Sequence, residues 1–253
     1  MPSEALAHNS SVLGGHLLQE ISWSGRSIRE YRNGGLGYEN VLTAEALQGL
    51  DFLPRSAFLG AVIKAAQGAS AARYQLVEDA EHAEFTLLPG DKYLETSTGS
   101  SQRRITVQPD GLIDSPRCFT VVEAKRIRRG SFQPEQLARE FVLTIRGTEG
   151  KTPLLLLILG AEPPVPVQRQ GRMSIEQAIG AHIESVLQRI GWHEYTKEAL
   201  LNKVPNVVAW ITWQKLSTVI ESQLATLCPV EPSIRASITR LANSVTSSIA
   251  RHS

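Results

Sequence analysis

Residues 154–159 read Leu-Leu-Leu-Leu-Ile-Leu, an unbroken apolar run set between Pro153 and Gly160. A strand with one wet face alternates apolar and polar side chains, so a run that is apolar at every position has both faces covered. Thr152–Gly160 is therefore predicted as a strand at the centre of a sheet, with packing layers above and below it. That requirement points to an α/β arrangement. The run is far too short for a membrane span.

Two β-rich segments precede it. Arg103–Ile113 and Cys118–Ile127 are predicted as antiparallel strands, with Asp114-Ser115-Pro116 turning the chain between them. A helix from Pro134 to Ile145 follows, capped by Ser131 or Gln133, with Leu137, Phe141, Val142 and Ile145 facing inward. Upstream, Val41, Leu42, Ala46, Leu47 and Leu50 stripe a helix over Tyr38–Leu50, behind the glycines of Gly34-Gly35-Leu36-Gly37. Pro54 is expected to open a second helix through Ala66, Gly68–Ala72 to turn, and Tyr74–Val77 and Phe85–Leu88 to form short strands. The acidic stretch Glu78–Glu84 is expected to be a solvated turn rather than a second metal site. The polar segment Gly90–Gln102 suits a substrate-facing loop. Helical spacing also marks Ser10–Ile21, and Ser22–Asn33 is amphiphilic.

The chemistry-bearing residues fall on the paired strands. Asp110 follows Pro109, and thirteen residues later comes Glu123-Ala124-Lys125. Side chains of a strand alternate between faces, so Glu123 and Lys125 share one, about 6–7 Å apart. A divalent ion on the Glu123 carboxylate would leave the Lys125 ammonium within one water of it. Asp110 is expected to face Glu123 across the pair, and the Ala124 carbonyl supplies a third oxygen. Two carboxylates and a carbonyl suit Mg2+ or Mn2+ better than zinc. Lys125 is expected to serve chemistry and not core packing.

Pro109-Asp110 followed by Glu123-Ala124-Lys125 resembles the signature of the PD-(D/E)xK nuclease superfamily, and Gln133–Glu140 is similar to the helix that follows it. The resemblance covers roughly residues 35 to 160. It implies a restriction-endonuclease-like fold: an αβββαβ core around a central mixed β-sheet flanked by helices, here with N- and C-terminal helical additions. It also implies metal-dependent phosphodiester hydrolysis, with DNA favoured over RNA as the substrate, Asp110, Glu123 and the Ala124 carbonyl on the metal and Lys125 orienting or activating water. Gly35 and Glu39 resemble the G-x-x-x-E element of the family's first core helix, whose Glu assists the metal, although a helix dipole alone favours an acid there. Glu39 and Glu45 lie about 120° apart on that helix, so one small site takes only one of them, and the resemblance selects Glu39. Gln136 would turn toward the site or the DNA. A surface ion-pair face shared with Glu140 is the equal alternative.

Net charge is only +1, which excludes a chain that coats nucleic acid through a global basic field. Charge is uneven, however. Between Ser101 and Gly130 seven basic residues (Arg103, Arg104, Arg117, Lys125, Arg126, Arg128 and Arg129) stand against Asp110, Asp114 and Glu123, a local excess of four. Such a patch suits a phosphate backbone, through Arg126, Arg128 and Arg129 above all, or is a solvated strand end. Residues 1–160 are expected to hold the core. Residues 161–253 form an α/β extension packed on the same domain: Glu162–Arg172 a proline-rich linker, then helices over Ile175–Ile190, Lys215–Leu227 and Pro232–Arg251, and a strand within Val204–Trp213. That strand has no sheet partner of its own in the extension. Two distant cysteines, Cys118 and Cys228, form no metal or disulfide pattern and are expected to be buried. With no leader pattern the expected compartment is the cytoplasm. Nucleic acid is the expected partner, with a second copy or another subunit as further candidates and no membrane. The competing readings are a nuclease-fold module without useful turnover, serving DNA binding or assembly, and a phosphohydrolase acting on nucleotides. The chain has no G-x-x-x-x-G-K-[ST] loop, zinc finger or helix-turn-helix pattern.

Overall fold

The computed structural model describes residues 36–95, 104–128, 130–228 and 230–253, with the backbone alone for residues 36–40. The expected helix over Ser10–Ile21, the stretch Ser22–Asn33, Gly35, most of the Gly90–Gln102 segment, Arg103 and Arg129 lie outside the described residues. The chain runs through α1 (Leu36–Phe52), α2 (Leu59–Ala65), a two-residue β1 (Gln67–Gly68), α3 (Ser70–Glu78) and β2 (Glu84–Leu87). The antiparallel pair β3 (Lys92–Leu94) and β4 (Ile105–Val107) comes next, then β5 (Gly111–Asp114), β6 (Cys118–Ala124), α4 (Gln136–Arg146) and β7 (Thr152–Leu159). A small hairpin, β8 (Val165–Val167) and β9 (Gly171–Met173), leads to α5 (Ile175–Gly180), α6 (Ile183–Ile190), α7 (Lys197–Leu201) and α8 (Val204–Val207). The chain closes with β10 (Val208–Thr212), α9 (Trp213–Thr226) and α10 (Pro232–His252).

The central sheet is mixed, with strand order β1-β10-β7-β6-β5-β2. β2, β5 and β6 form an antiparallel meander, and β7 then returns parallel to β6 through α4, giving the αβββαβ order around a sheet flanked by helices. β7 lies between β6 and β10, and its apolar run is covered twice. Leu154, Leu156 and Ile158 pack with Val122 and Ala124 against α1, α2, α9 and α10. Leu155, Leu157 and Leu159 pack with Val121 against α4, α5 and α6. Each such side chain fully withdrawn from water contributes about 1.5–3 kcal/mol, which is what holds α4 over β6. β10 pairs in parallel with β7, so the strand of the C-terminal region joins this same sheet.

Several local expectations are corrected. Arg103–Ile113 is not one strand: β4 pairs with β3 in a separate sheet, the chain breaks at 108–110, and β5 begins afresh at Gly111. β6 stops at Ala124. Pro54–Phe58 is a turn, with α2 starting only at Leu59. Tyr74–Val77 lies in α3, because Ala72 and Leu76, four residues apart, bury one helical face. Glu162–Arg172 is not a linker but contains the β8–β9 hairpin, whose Phe132 bridge anchors it to the body. Ile175–Ile190 is split into α5 and α6, Val204–Val207 is a helical turn, and Cys228 is exposed while Cys118 is buried. The acidic stretch is structural, since buried Asp79 accepts from Nε and Nη2 of Arg117 and Glu81 accepts the Ser56 amide.

Candidate functional site

The break before β5 fixes Asp110. Its amide donates to the Val122 carbonyl at 3.1 Å and its carbonyl accepts from Leu88 N at 3.0 Å, so the backbone is pinned between β2 and β6. Gly111 pairs with Val122, which sets Asp110 opposite Glu123. Gly111 lies close under α1, where an added Cβ would come within 3.1 Å of the Leu47 side chain. The Asp110 carboxylate accepts from Ala124 N at 2.7 Å, so the aspartate and the end of β6 are tied directly.

Glu123 sits on the α4 side of the sheet, in register with Leu157, and is only 2% exposed. Its Oε1 accepts from Lys125 Nζ at 2.5 Å and from Gln136 Nε2 at 2.5 Å. Lys125 lies over the Phe132 ring at 5.1 Å. One turn beyond Gln136, Glu140 is 1% exposed and presses against Glu123, near enough for the two carboxyls to share a proton. Burial, then the Glu140 charge, pushes Glu123 well above the ordinary carboxylate range, against the pull of Lys125. Burial likewise pushes Glu140 up to about 7, although Lys125, Glu123 and Gln136 all favour its ionised form. Two adjacent buried acids facing one ammonium retain a proton near neutral pH.

The donor chemistry fits a hard divalent ion. The second oxygens of Glu123 and Glu140 are buried with no hydrogen-bond partner among the described residues, and an orphaned carboxylate oxygen is costly unless a proton or a cation meets it. Asp110, Glu123 and Glu140 offer oxygen ligands only, which matches Mg2+ or Mn2+. Among the described residues no three His, Cys, Asp or Glu side chains are gathered into a formed cage. The acids are instead closed onto Lys125 and Gln136.

Of the expected site residues, Asp110, Glu123, Ala124, Lys125 and Gln136 are brought together at the ends of β5 and β6 and the start of α4. The alternative of a surface face for Gln136 and Glu140 is overturned: Glu140 is buried and Gln136 holds Glu123. Glu39 lies in α1, but its side chain is outside the described residues. Glu45 is exposed and engages Ser248 and Arg251 of α10. The basic patch is dispersed. Arg117 is held at the opposite end of β6 by Asp79 and Glu78, at 2.6 and 2.9 Å, and Arg104 stacks on Tyr93 at 4.1 Å. Arg126 is half-buried beside Lys125 and Arg128 is exposed just beyond.

Two functional residues carry weak signals or none in the sequence. Glu140 is legible only as the position four after Gln136 on a helix whose other face is apolar. Trp213, buried against the other sheet face, donates Nε1–H to the Lys125 carbonyl at 2.7 Å and so fixes the backbone that carries the lysine. Comparison with protein-family models, with curated proteins and with solved structures finds no match to this chain.

Proposed function

We propose that this chain is a Mg2+- or Mn2+-dependent nuclease that hydrolyses phosphodiester bonds, DNA in preference to RNA, in line with its resemblance to the PD-(D/E)xK nucleases. The observation that carries the reading is the meeting of Asp110, Glu123 and Lys125 at one strand end, with Glu140 adding a buried carboxylate. Asp110, Glu123 and Glu140 would hold the ion, with the Ala124 carbonyl and Glu39 as the further ligands the resemblance implies. When bound, the ion lowers the pKa of a coordinated water and neutralises charge on the phosphoryl oxygens. Asp110 is oriented by the Ala124 amide and Glu123 by Gln136, so neither carboxylate swings. Lys125, held by Glu123, stands where its ammonium can orient the attacking water and meet charge developing on phosphate. Arg126 and Arg128, with Arg129, would contact the flanking backbone.

A second reading rests on the closed state of Glu123, whose Oε1 is already engaged twice. A chain that kept Lys125 locked on Glu123 would be a nuclease-fold module for DNA binding or assembly, with no turnover. Incubation of the pure protein with supercoiled, linear and single-stranded DNA and with RNA, in Mg2+, Mn2+, Ca2+ or EDTA, separates the two. Cleavage in Mg2+ or Mn2+ and its loss in EDTA support the nuclease. Cutting undiminished in EDTA removes the metal, and no cutting in any metal favours the module.

A further inference from the structure

Behind Lys125, away from the carboxylates, lies a cavity of about 370 Å³. Its floor is the carboxyl end of two parallel strands, where β6 and β7 give way to the loops that begin at Lys125 and Gly160. Open α/β sheets bind ligands at that end of their strands. Among the described residues the lining includes Lys125, already paired with Glu123, Arg126 and Arg172, and no carboxylate. A guanidinium facing a cavity without carboxylates favours an anion.

Its walls are built in place. Arg172 lies opposite Pro166 in the β8–β9 hairpin, and both line the cavity. The hairpin is tied to the facing wall by Phe132 N to the Pro166 carbonyl at 3.0 Å and Gln168 N to the Phe132 carbonyl at 2.9 Å. On the other side the strand-to-helix loop packs directly on Gly160, where a Cβ would meet the Ile127 and Arg126 carbonyls at 2.3 and 2.4 Å. Among the described residues the Arg172 guanidinium has no carboxylate partner, so its charge is available to the cavity.

We propose that this cavity is a phosphate subsite, taking a non-reacting phosphoryl group of the strand whose neighbouring phosphodiester lies at Asp110, Glu123 and Lys125. Lys125 belongs to both places and sets their spacing. That the phosphoryl belongs to a substrate rests on the nuclease reading, whereas anion binding by the cavity does not.

Binding is measured in EDTA, so that no metal contributes, by titrating inorganic phosphate and a 5′-phosphorylated dinucleotide into the full chain and following backbone amide shifts by NMR. Shifts confined to 126–132 and 159–172, with affinity falling about tenfold in Arg172→Gln, are expected. Ala161→Glu, which places a carboxylate at the mouth, should weaken binding further. Arg240→Gln on α10 loses the same charge elsewhere and should bind as the wild type does. Equal affinity in Arg172→Gln, shifts elsewhere, or no binding at tens of millimolar phosphate overturns the subsite. In cleavage assays the Arg172→Gln effect should fall on KM more than kcat, and the salt slope of oligonucleotide binding should drop by about one. Phosphate binding through Arg172 without any cleavage would leave the subsite standing and remove the nuclease reading. Cleavage with an unaltered KM would do the reverse.

Discussion

Glu140→Gln isolates the buried acid pair. In the folded, metal-free protein Glu140 titrates at about 7, against 4.5 for a free side chain. The folded state therefore holds a proton that the unfolded chain releases at lower pH, so stability present in full below about pH 4.5 is lost as pH rises toward 7. The rise from 4.5 to about 7 corresponds to about 3 kcal/mol. Glutamine keeps the shape, cannot ionise and can donate to Glu123. The variant should match the wild type near pH 5 and exceed its stability by up to about 3 kcal/mol at pH 8, or about 6–12 °C in Tm for a chain of this size. Urea denaturation in EDTA across pH 5 to 8 measures the gap. Mg2+ should restore the wild type by mass action, about 2.7 kcal/mol at a hundredfold excess over Kd, and restore the variant less. Parallel stability profiles for the two proteins over that pH range would refute the shared-proton description.

Lys125→Ala should abolish cleavage and, because it strands a buried Glu123, destabilise by about 3–5 kcal/mol; adding Glu123→Gln should recover much of that loss in urea denaturation, and a silent single variant would show the pair to be inert. Neutralising Arg126 and Arg128 together should reduce the salt slope of DNA binding by about two, with an unchanged slope placing the DNA path elsewhere. Glu45→Gln should leave single-turnover cleavage unaffected, since Glu45 serves α10; a loss of orders of magnitude would move the helix carboxylate from Glu39 to Glu45. Gly160→Ala should lower Tm and weaken phosphate binding together, because its Cβ would displace the Arg126 and Ile127 carbonyls.

Strand alternation and the double-faced run at Leu154–Leu159 made the centre of the fold legible, and with it the facing of Asp110 and Glu123. Both depend on periods of two residues that long-range packing does not disturb. What stayed hidden was set by distant contacts. Arg117 looks like part of a phosphate-binding patch until Asp79, 38 residues earlier, is found to hold it at the wrong end of β6. Tyr74–Val77 carries strand-forming residues, yet the burial of Ala72 and Leu76 against the sheet makes them helical. The prolines of Glu162–Arg172 mimic a linker because the hairpin there pairs outward to Phe132, a partner no local pattern announces. Lys125 is expected to stand clear of packing, but its ammonium is held against Glu123, whose carboxyl burial and the Glu140 charge push up against the pull of the lysine.

This last correction reshapes the chemistry. Glu123 cannot accept a cation at Oε1 without loosening Lys125 or Gln136, while Glu123 Oε2 and Glu140 Oε2 already lack partners. A divalent ion therefore gains most by entering on the Oε2 side, displacing the proton the two acids share, and leaving the lysine where it stands. On that route Lys125 need not move to become useful: it is held by Glu123 on one side and borders the cation-lined cavity on the other. Metal affinity should then rise with pH through the range in which Glu140 titrates, since the ion competes with a proton and not with the ammonium. An affinity for Mn2+ that is flat between pH 6 and 8 in calorimetry would mean that the ion instead displaces Lys125 from Oε1.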